Sequence, residues 1–331
     1  MQLIFFVRLT ESTRSRKLND VEIISKKQKI KPLLVSIVGP TAIGKSDLGI
    51  ELAKHYQTEV ISADSRQLYR EMKIGTAKPD AEELAEVTHH FIDSHSIEAS
   101  FSAGEYGRQA LSLLSQRFEE KKIILAVGGS TLYLKALWDG FDDVPRVDES
   151  IRKSLNQELK EYGLSPLLNE LAKGDPTYFD QVDKSNGQRI VRALEVLRGT
   201  GKPFSSYRKN SAREFPYRNL KIGLEVNREV LFERINKRMD HMIDAGLFEE
   251  AESLLEYRNH NALQTVGYSE IFGFLDGDYD REEAIRLLKR NSRRYAKRQM
   301  TWFRKYEDIH WFDPNQKAEI IKLIDSSLSG E

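Results

Sequence analysis

The chain has 331 residues, and its 51 lysines and arginines balance 51 aspartates and glutamates, so the formal net charge is zero. A balanced charge excludes a global attraction to nucleic acid, and any such binding must come from local basic patches. The absence of cysteine excludes disulfides, thiolate catalysis and cysteine-based zinc sites. A membrane-spanning helix needs about 20 apolar residues in a row, and no run approaches that length, so we expect no membrane association.

The first 31 residues differ in character from the rest of the chain. Residues 3–7 are apolar, and residues 8–31 hold eight lysines or arginines against three acidic residues. The apolar part is too short for a signal peptide, and no basic segment precedes it. We therefore predict that residues 1–31 form a poorly ordered N-terminal extension.

A P-loop follows the first long apolar run of the remaining chain. Residues 39–46 read Gly-Pro-Thr-Ala-Ile-Gly-Lys-Ser. Gly39 and Gly44 allow the backbone to curl so that successive N–H groups point at phosphate oxygens. Lys45 adds a positive charge, and the hydroxyl of Ser46 suits a Mg²⁺ ligand. The loop predicts binding of linked phosphates, as in ATP-binding and other nucleotide-binding proteins, without specifying the reaction.

Apolar segments alternate with helical patterns along most of the chain. Because this alternation with a P-loop is typical of parallel sheets, we predict an α/β fold with a P-loop NTPase-like doubly wound sheet. Residues 32–141 and 214–331 would form this core with C-terminal helices, and residues 142–213, which lack a strong strand pattern, an inserted all-helical domain. The predicted strands are Leu33–Val38, Val60–Ala63, Ile123–Val127 and Ile222–Val226, with a strand-like segment at Ile309–Phe312.

Polar and glycine-rich residues follow two of these strands, where a doubly wound sheet has its site. Asp64 is compatible with a metal-associated carboxylate, a general base or a solvated turn residue that caps the next helix. Gln67 presents a donor and an acceptor together, which suits the edge of adenine. Gly128 and Gly129 stand where a P-loop NTPase often carries a water-polarising acid, which weakens the ATPase interpretation but leaves a kinase open. Ser130 suits either ligand contact or capping of the next helix.

Basic clusters stand out against the neutral total. Residues 281–305 contain ten lysines or arginines against two glutamates, with interleaved aromatics. This favours either a helix that tracks a phosphate backbone or an amphipathic helix with core aromatics. Arg189 and Arg192 are three residues apart and share a helix face. Arg234 and Arg238 are four apart and suit either a phosphate clamp or structural ion pairs.

Together these motifs, from about Pro32 to Pro314, resemble the tRNA dimethylallyltransferase (tRNA isopentenyltransferase) family. Each motif alone is modest evidence, whereas their joint order and spacing are specific. Some eukaryotic members carry a zinc finger, and the absence of cysteine therefore points to the bacterial type. The markers are the P-loop, Ile-Ser-Ala-Asp-Ser-Arg-Gln-Leu-Tyr at 61–69, Ile-Gly-Thr-Ala-Lys-Pro at 74–79, Gly-Gly-Ser at 128–130, Gln-Arg-Ile-Val-Arg at 188–192, Thr-Val-Gly-Tyr at 265–268 and Lys-Arg-Gln-Met-Thr-Trp-Phe at 297–303.

The resemblance implies transfer of a dimethylallyl group from its diphosphate to the exocyclic amine of the adenosine just 3′ of the anticodon. Lys45 and Mg²⁺ on Ser46 would stabilise the departing diphosphate. Asp64 would take the amine proton, and Thr41 matches a family position near the reacting centre, so Asp64, Thr41 and Lys45 are the predicted catalytic residues. The predicted diphosphate site comprises Gly39, Pro40, Thr41, Ala42, Ile43, Gly44, Lys45, Ser46, Arg234 and Arg238.

The resemblance also implies that the inserted module embraces the anticodon stem-loop. We expect a monomeric cytoplasmic enzyme whose partners are tRNA and dimethylallyl diphosphate. The alternatives are an adenylate isopentenyltransferase that acts on free nucleotide, a P-loop nucleoside or small-molecule kinase, and a non-catalytic RNA-binding protein. The predicted tRNA-contacting residues are Asp64, Ser65, Arg66, Gln67, Ser130, Arg152, Gln188, Arg189, Ile190, Val191, Arg192, Gln264, Thr265, Val266, Gly267, Tyr268 and Ser269.

Overall fold

The computed structural model of the chain describes residues 30–208 and 214–330. Residues 1–29 of the predicted extension and residues 209–213 of the predicted insertion lie outside the described residues. The strands of the described chain are β1 (Leu33–Val38), β2 (Val60–Ser62), β3 (His89–His90), β4 (Ile123–Gly128), β5 (Arg218–Leu224) and β6 (Ile309–Phe312). They form one all-parallel sheet in the order β3-β2-β4-β1-β5-β6, so the predicted parallel sheet is confirmed.

The predicted strands are confirmed with changes at their ends, and β5 changes most. It begins four residues before the predicted segment Ile222–Val226 and ends two residues before that segment does. The reason is its pairing with β1, which starts with Arg218 opposite Leu33 and ends with Gly223 opposite Val38. Register with a central neighbour, rather than local apolarity, therefore sets the ends of this strand.

Helices cover both faces of the sheet, which confirms the doubly wound arrangement. On one face Val35 packs with Leu52 and Ile320, and on the other Leu34 packs with Leu134. Successive residues of β1 thus enter different cores, as the pleat of a strand requires. The described helices are α1 (Lys45–Tyr56), α2 (Ala81–Glu86), α3 (Ala103–Arg117), α4 (Thr131–Trp138), α5 (Glu149–Tyr162), α6 (Ser165–Gly174), α7 (Pro176–Gln181), α8 (Gly187–Thr200), α9 (Arg228–Asp244), α10 (Leu247–Ser253), α11 (Ser269–Leu275), α12 (Arg281–Phe303) and α13 (Lys317–Ser329).

Helices α5 to α8 pack around a hydrophobic cluster of their own, and we call them the helical module. Leu155, Leu171, Tyr178 and Leu194 supply one buried side chain from each helix. Within the described residues, this cluster has no member in common with the two clusters that cover the sheet. A separate core supports the inserted helical domain of residues 142–213, whose bounds remain a prediction.

The basic helix α12 turns its aromatic residues inward. Phe303 is fully buried, and the ring of Trp302 stacks on Trp138 with 5.9 Å between centroids. The alternative in which the aromatics belong to the core therefore describes these two residues. This is the longest described helix, with 23 residues, and no helix in the described ranges is long and apolar enough to cross a membrane.

Candidate active site

A cavity of about 600 Å³ opens at the edge of the sheet where β1, β2 and β4 end. The carboxyl edge of a doubly wound sheet is where such a site is expected. Segments far apart in the sequence meet there, from the P-loop, the turn after β2, the start of the helical module and the C-terminal helices. Its polar lining includes Thr41, Lys45, Ser46, Asp64, Ser65, Arg66, Gln67, Ser130, Arg152, Thr265, Arg238, Tyr295 and Gln299.

The P-loop wraps around the ammonium group of its lysine. Gly39 and Gly44 both have positive φ angles, as the curled backbone needs. The Nζ of Lys45 donates to the carbonyl of Pro40 at 2.7 Å. Burial, and then the neighbouring Arg238 guanidinium, lower the pKa of Lys45 from 10.5 to about 7, against the opposing effect of the Asp64 carboxylate. A site that makes a lysine cation unfavourable is prepared for an anion.

The two arginines of α9 have different positions relative to the cavity. Arg238 lines the cavity, and its Nη2 donates to the hydroxyl of Thr41. Burial lowers the pKa of Arg238. Arg234 instead reaches the carbonyl of Ile43 at 3.5 Å, a weak contact from outside the cavity lining. Of the two arginines, Arg238 alone therefore faces the cavity, and contact with a phosphate stays a prediction.

Asp64 caps a turn at residues 65–68 rather than a helix, and it also lines the cavity, where its role as a general base stays a prediction. Its Oδ1 accepts from the backbone N–H of Arg66 at 2.8 Å and lies 3.4 Å from that of Gln67. The amide of Gln67 is held by the protein itself, because its oxygen accepts from Ser62 at 3.0 Å and its nitrogen donates to Ala77 at 3.1 Å. Contact of Gln67 with adenine stays a prediction, and it would require an exchange of these bonds.

A side chain at either of the two glycines that follow β4 would meet atoms of a neighbouring segment. A Cβ at Gly128 would overlap the backbone of Ala63, and one at Gly129 would overlap the amide of Gln299. The amide of Gln299 donates to the carbonyl of Gly129 at 2.9 Å and accepts from the backbone N–H of Thr41 at 3.0 Å. The close approach of the Ala63 backbone therefore excludes an acid at 128, whereas an acid at 129 would displace the side-chain amide of Gln299, which ties this segment to the P-loop.

Ser130 occupies the N-cap position of α4 but does not cap the helix with its side chain. The prediction of a capping hydroxyl is wrong, because the hydroxyl accepts from the backbone N–H of Ser65 at 2.8 Å. The turn after β2 and the segment after β4 are thereby joined. This bond fixes the position of Asp64, the immediate neighbour of Ser65, in the wall of the cavity.

The predicted segment 264–269 forms part of the opposite wall. Thr265, Val266, Gly267 and Tyr268 line the cavity. The side chain of Tyr268 is fully buried, and its hydroxyl donates to Glu250 at 2.7 Å. The flanking residues of the segment, Gln264 and Ser269, bond to the nearby backbone carbonyls of Arg258 and Thr265 and are not in the cavity lining.

The tRNA-contacting residues predicted in the helical module divide into two groups. Arg152 lines the cavity, and its Nη2 lies 3.3 Å from the oxygen of Gln188; Arg189 is exposed and Arg192 partly exposed. Ile190 and Val191 are fully buried in the module core. Their side chains therefore hold α8 in place and have no surface for RNA.

Sequence reasoning missed two residues of the cavity lining and one buried carboxylate that contacts the lining residue Arg152. Gln299 and Tyr295 face the cavity from α12, where burial and then Asp64 raise the pKa of Tyr295 to about 12. Glu195 forms ion pairs with Arg152 and Arg192. The position of Gln299 inside the predicted Lys-Arg-Gln-Met-Thr-Trp-Phe motif was a usable signal for that residue. The i, i+3 spacing of Arg192 and Glu195 was a local signal of their ion pair, but nothing local indicated the contact of Glu195 with Arg152.

Known proteins resemble this chain along most of its length. A family model described as IPP transferase matches residues 67–306. A protein of Cytophaga hutchinsonii named tRNA dimethylallyltransferase is 50% identical over 299 residues, which is 90% of this chain and 98% of the relative. One of Christiangramia forsetii with the same name is 48% identical over 297 residues, 89% of this chain and 98% of the relative.

Solved structures agree with the sequence relatives. The tRNA isopentenylpyrophosphate transferase of Bacillus halodurans is 40% identical with a TM-score of 0.67, covering 91% of this chain and 98% of that one. A eukaryotic dimethylallyltransferase described as acting on tRNA is 25% identical with a TM-score of 0.74, covering 91% of this chain and 80% of that one. The predicted resemblance is therefore confirmed, and this chain belongs to the IPP transferase family, together with the bacterial tRNA dimethylallyltransferases.

Proposed function

We propose that this protein transfers a dimethylallyl group from dimethylallyl diphosphate to the exocyclic amine of the adenosine 3′ of the tRNA anticodon, releasing diphosphate. The observation that carries the proposal is a single cavity with an anion-binding loop on one side and Asp64 on another. Arg152 of the helical module lines the same cavity. A prenyl diphosphate and an RNA base need such a shared space, because the allylic carbon must reach the amine.

The donor half of the cavity suits a diphosphate that leaves with its charge. As the allylic C–O bond breaks, negative charge builds on the departing oxygens, and preorganised donors stabilise that charge best. Lys45, Arg238 and the backbone N–H groups of the P-loop would supply these donors. Because Lys45 has a lowered pKa in the free protein, the arriving anion would also restore the proton to this side chain.

The donor set also fits a magnesium ion. Ser46 presents its hydroxyl in the first turn of α1 and lines the cavity. Within residues 30–208 and 214–330, no cluster of three or more acidic or histidine side chains is arranged to hold a metal by itself. Mg²⁺ commonly takes few protein ligands and completes its shell with phosphate oxygens and water. We infer that Ser46 and the diphosphate hold Mg²⁺, which would neutralise part of the leaving-group charge.

The acceptor half needs a base but no activated water. Ionisation of the donor gives an allylic cation, and the adenine amine attacks it directly. The amine is a poor nucleophile because its lone pair is spread into the ring, so removal of its proton by Asp64 would help the C–N bond to form. The steric exclusion of an acid at Gly128 agrees with a reaction that has no attacking water.

The helical module would hold the RNA while the adenosine leaves its stack. Unstacking costs a few kcal/mol, and contacts made by Arg152, Arg189 and Arg192 would offset that cost. A free nucleotide would need no such module, which disfavours the adenylate isopentenyltransferase alternative. Because tRNA is the inferred acceptor, we place the protein in the cytoplasm, acting as a monomer.

One assay separates the proposal from its alternatives. Unmodified tRNA, dimethylallyl diphosphate and Mg²⁺ are incubated with the protein, and the nucleosides are read by mass spectrometry. We expect the mass gain of one dimethylallyl group on adenosine next to the anticodon, and its loss when Mg²⁺ is chelated. A mass gain on free AMP but not on tRNA would contradict the proposal, and phosphorylation of a nucleoside by ATP without prenylation would indicate a kinase.

A further inference from the structure

Glu195 is a buried carboxylate in a part of the helical module that borders the cavity. Only 8% of its side chain is exposed, although it lies between two guanidinium groups. The Nη1 of Arg152 and the Nη1 of Arg192 approach the same oxygen, Oε2, at 3.0 and 3.1 Å. Both arginines remain open on their other sides, with 42% and 36% of their side chains exposed.

The location of this carboxylate needs an explanation beyond simple attraction to RNA. A negative charge between two arginines lowers the positive potential that a phosphate would meet. It also carries a desolvation penalty, which its partners have to offset. If net positive charge alone mattered at this surface, a neutral residue at 195 would bind RNA better. The gain from Glu195 must therefore be geometric.

The local geometry provides that gain. Gln188, Arg192 and Glu195 are spaced i, i+4 and i+7 and share one face of α8. Arg152 comes from α5 and reaches both Glu195 and the amide oxygen of Gln188. A free arginine side chain loses rotamer entropy when it is fixed, and Glu195 would impose that restriction before the ligand arrives.

We propose that Glu195 is a positioning residue that holds the guanidiniums of Arg152 and Arg192 in place for phosphate groups of the RNA acceptor. This inference rests on the proposed function, since it takes the acceptor to be RNA. Glu195 itself would not touch the ligand. Its contribution would be to pre-orient two donors from different helices, Arg152 in the cavity lining and Arg192 outside it, so that they bind phosphates with less loss of conformational freedom.

The module offers a matched ion pair for comparison. Arg198 of α8 pairs with Glu158 of α5 at 2.7 Å, with 29% and 32% of the two side chains exposed, and Arg198 also donates to Glu170 of α6 at 2.8 Å. These residues join the same helices but are not in the cavity lining. Glu158→Gln therefore reports the effect of losing an interhelical ion pair without losing a positioned cavity arginine.

The test measures affinity for an unmodified anticodon stem-loop RNA across a range of salt concentrations. For Glu195→Gln we expect binding weakened about tenfold, as when a long side chain must be ordered on binding. We also expect the salt slope to become shallower by about 0.7 for each phosphate of the single-stranded loop that the protein no longer neutralises. Glu158→Gln is expected to leave both quantities unchanged. The KM for dimethylallyl diphosphate and the thermal midpoint verify that the Glu195→Gln protein is folded.

A double variant and the triple variant built on it decide whether Glu195 acts through its arginines. In a protein that carries Arg152→Ala and Arg192→Ala, adding Glu195→Gln should not weaken RNA binding any further, because no arginine is left to position. Tighter binding by Glu195→Gln with a steeper salt slope would overturn the proposal in favour of charge alone, and equal weakening by Glu158→Gln would assign a purely structural role. If the wild-type protein does not bind the RNA, the proposed function fails first.

Discussion

The helical module and the floor of the cavity hold their polar groups in place by different means. The floor is the part of the lining formed by the P-loop, Asp64, Gly129, Arg238 and Gln299. On the floor, backbone groups are tied together, because Gln299 bridges the N–H of Thr41 and the carbonyl of Gly129. In the module, exposed side chains carry the positive charge, and the carboxylate of Glu195 contacts both Arg152 and Arg192. The difference separates tasks, because a reacting centre needs fixed geometry, whereas an RNA surface has to be met by adaptable cations.

The largest expected effect is on the floor. Asp64→Ala should lower single-turnover prenylation about 10³-fold, equivalent to about 4 kcal/mol, because the amine proton loses its acceptor. The affinity for tRNA should stay within a few-fold. Asp64→Asn is the matched control, since it retains an oxygen that can accept from the N–H of Arg66 but cannot take a proton. Turnover that survives in either variant would remove Asp64 from the role of base.

A core substitution in the module tests whether the two regions are separable. Leu194→Ala removes a fully buried side chain and should destabilise the module by about 3 kcal/mol. We expect faster hydrogen exchange in α5 to α8 and weaker tRNA binding, with diphosphate affinity unchanged by calorimetry. The comparison variant Leu125→Ala, in the centre of the sheet, should impair both tRNA binding and diphosphate affinity. An equal loss of diphosphate affinity in Leu194→Ala would mean that the regions act as one unit.

The two arginines of α9 should contribute unequally to the floor. Arg238→Ala should lower kcat/KM for dimethylallyl diphosphate about 10²-fold, because a buried donor next to Thr41 is removed. Arg234→Ala should change it by less than about tenfold, since Arg234 makes only a long contact with a loop carbonyl. Steady-state kinetics at saturating tRNA would measure both. The reverse ranking would make Arg234 the phosphate-binding residue.

The smallest expected effect is a gain in stability when Lys45, a predicted catalytic residue, is replaced. Because the pKa of Lys45 is about 7 in the folded chain and 10.5 ordinarily, the unfolded chain binds more protons between these values, and stability rises with pH there. Below pH 7 the folded chain bears the full cost of burying the protonated Lys45. Lys45→Met removes this cost of burying a cation but also removes the charged hydrogen bond to the carbonyl of Pro40, so the net rise in the free energy of unfolding at pH 6 should be only about 1 kcal/mol, with the gain fading toward pH 10.

Denaturant unfolding without diphosphate measures this gain at the two ends of the pH range. Lys45→Arg is the matched control, because it retains a cation and should show no gain at pH 6. A Met variant that is less stable than the wild type at pH 6 would contradict the prediction. It would mean that the bond from Lys45 to the carbonyl of Pro40 outweighs the desolvation of the ammonium.

Each part of the site that local patterns predicted is a short continuous segment of the sequence. The P-loop, the turn at Asp64 and the glycines after β4 each lie within a few residues of a strand end, where local pattern and general topology place them together. The strand pattern also predicted the sheet, although the ends of β5 shifted. The hydrogen-bond partner of the Ser130 hydroxyl was not predictable, because this hydroxyl bonds to Ser65, 65 residues away, rather than to its own helix.

By itself, the sequence determined the family, the parallel sheet and the chemical character of the site, because periodicity and short motifs encode these locally. Only the tertiary structure decided which arginine of α9 faces the cavity, that Gln299 joins the P-loop to Gly129, and that Glu195 lies between two arginines. These contacts bridge separations of 197, 258 and 43 residues. Long-range partners are selected by packing, and a single sequence carries no local signal of that choice.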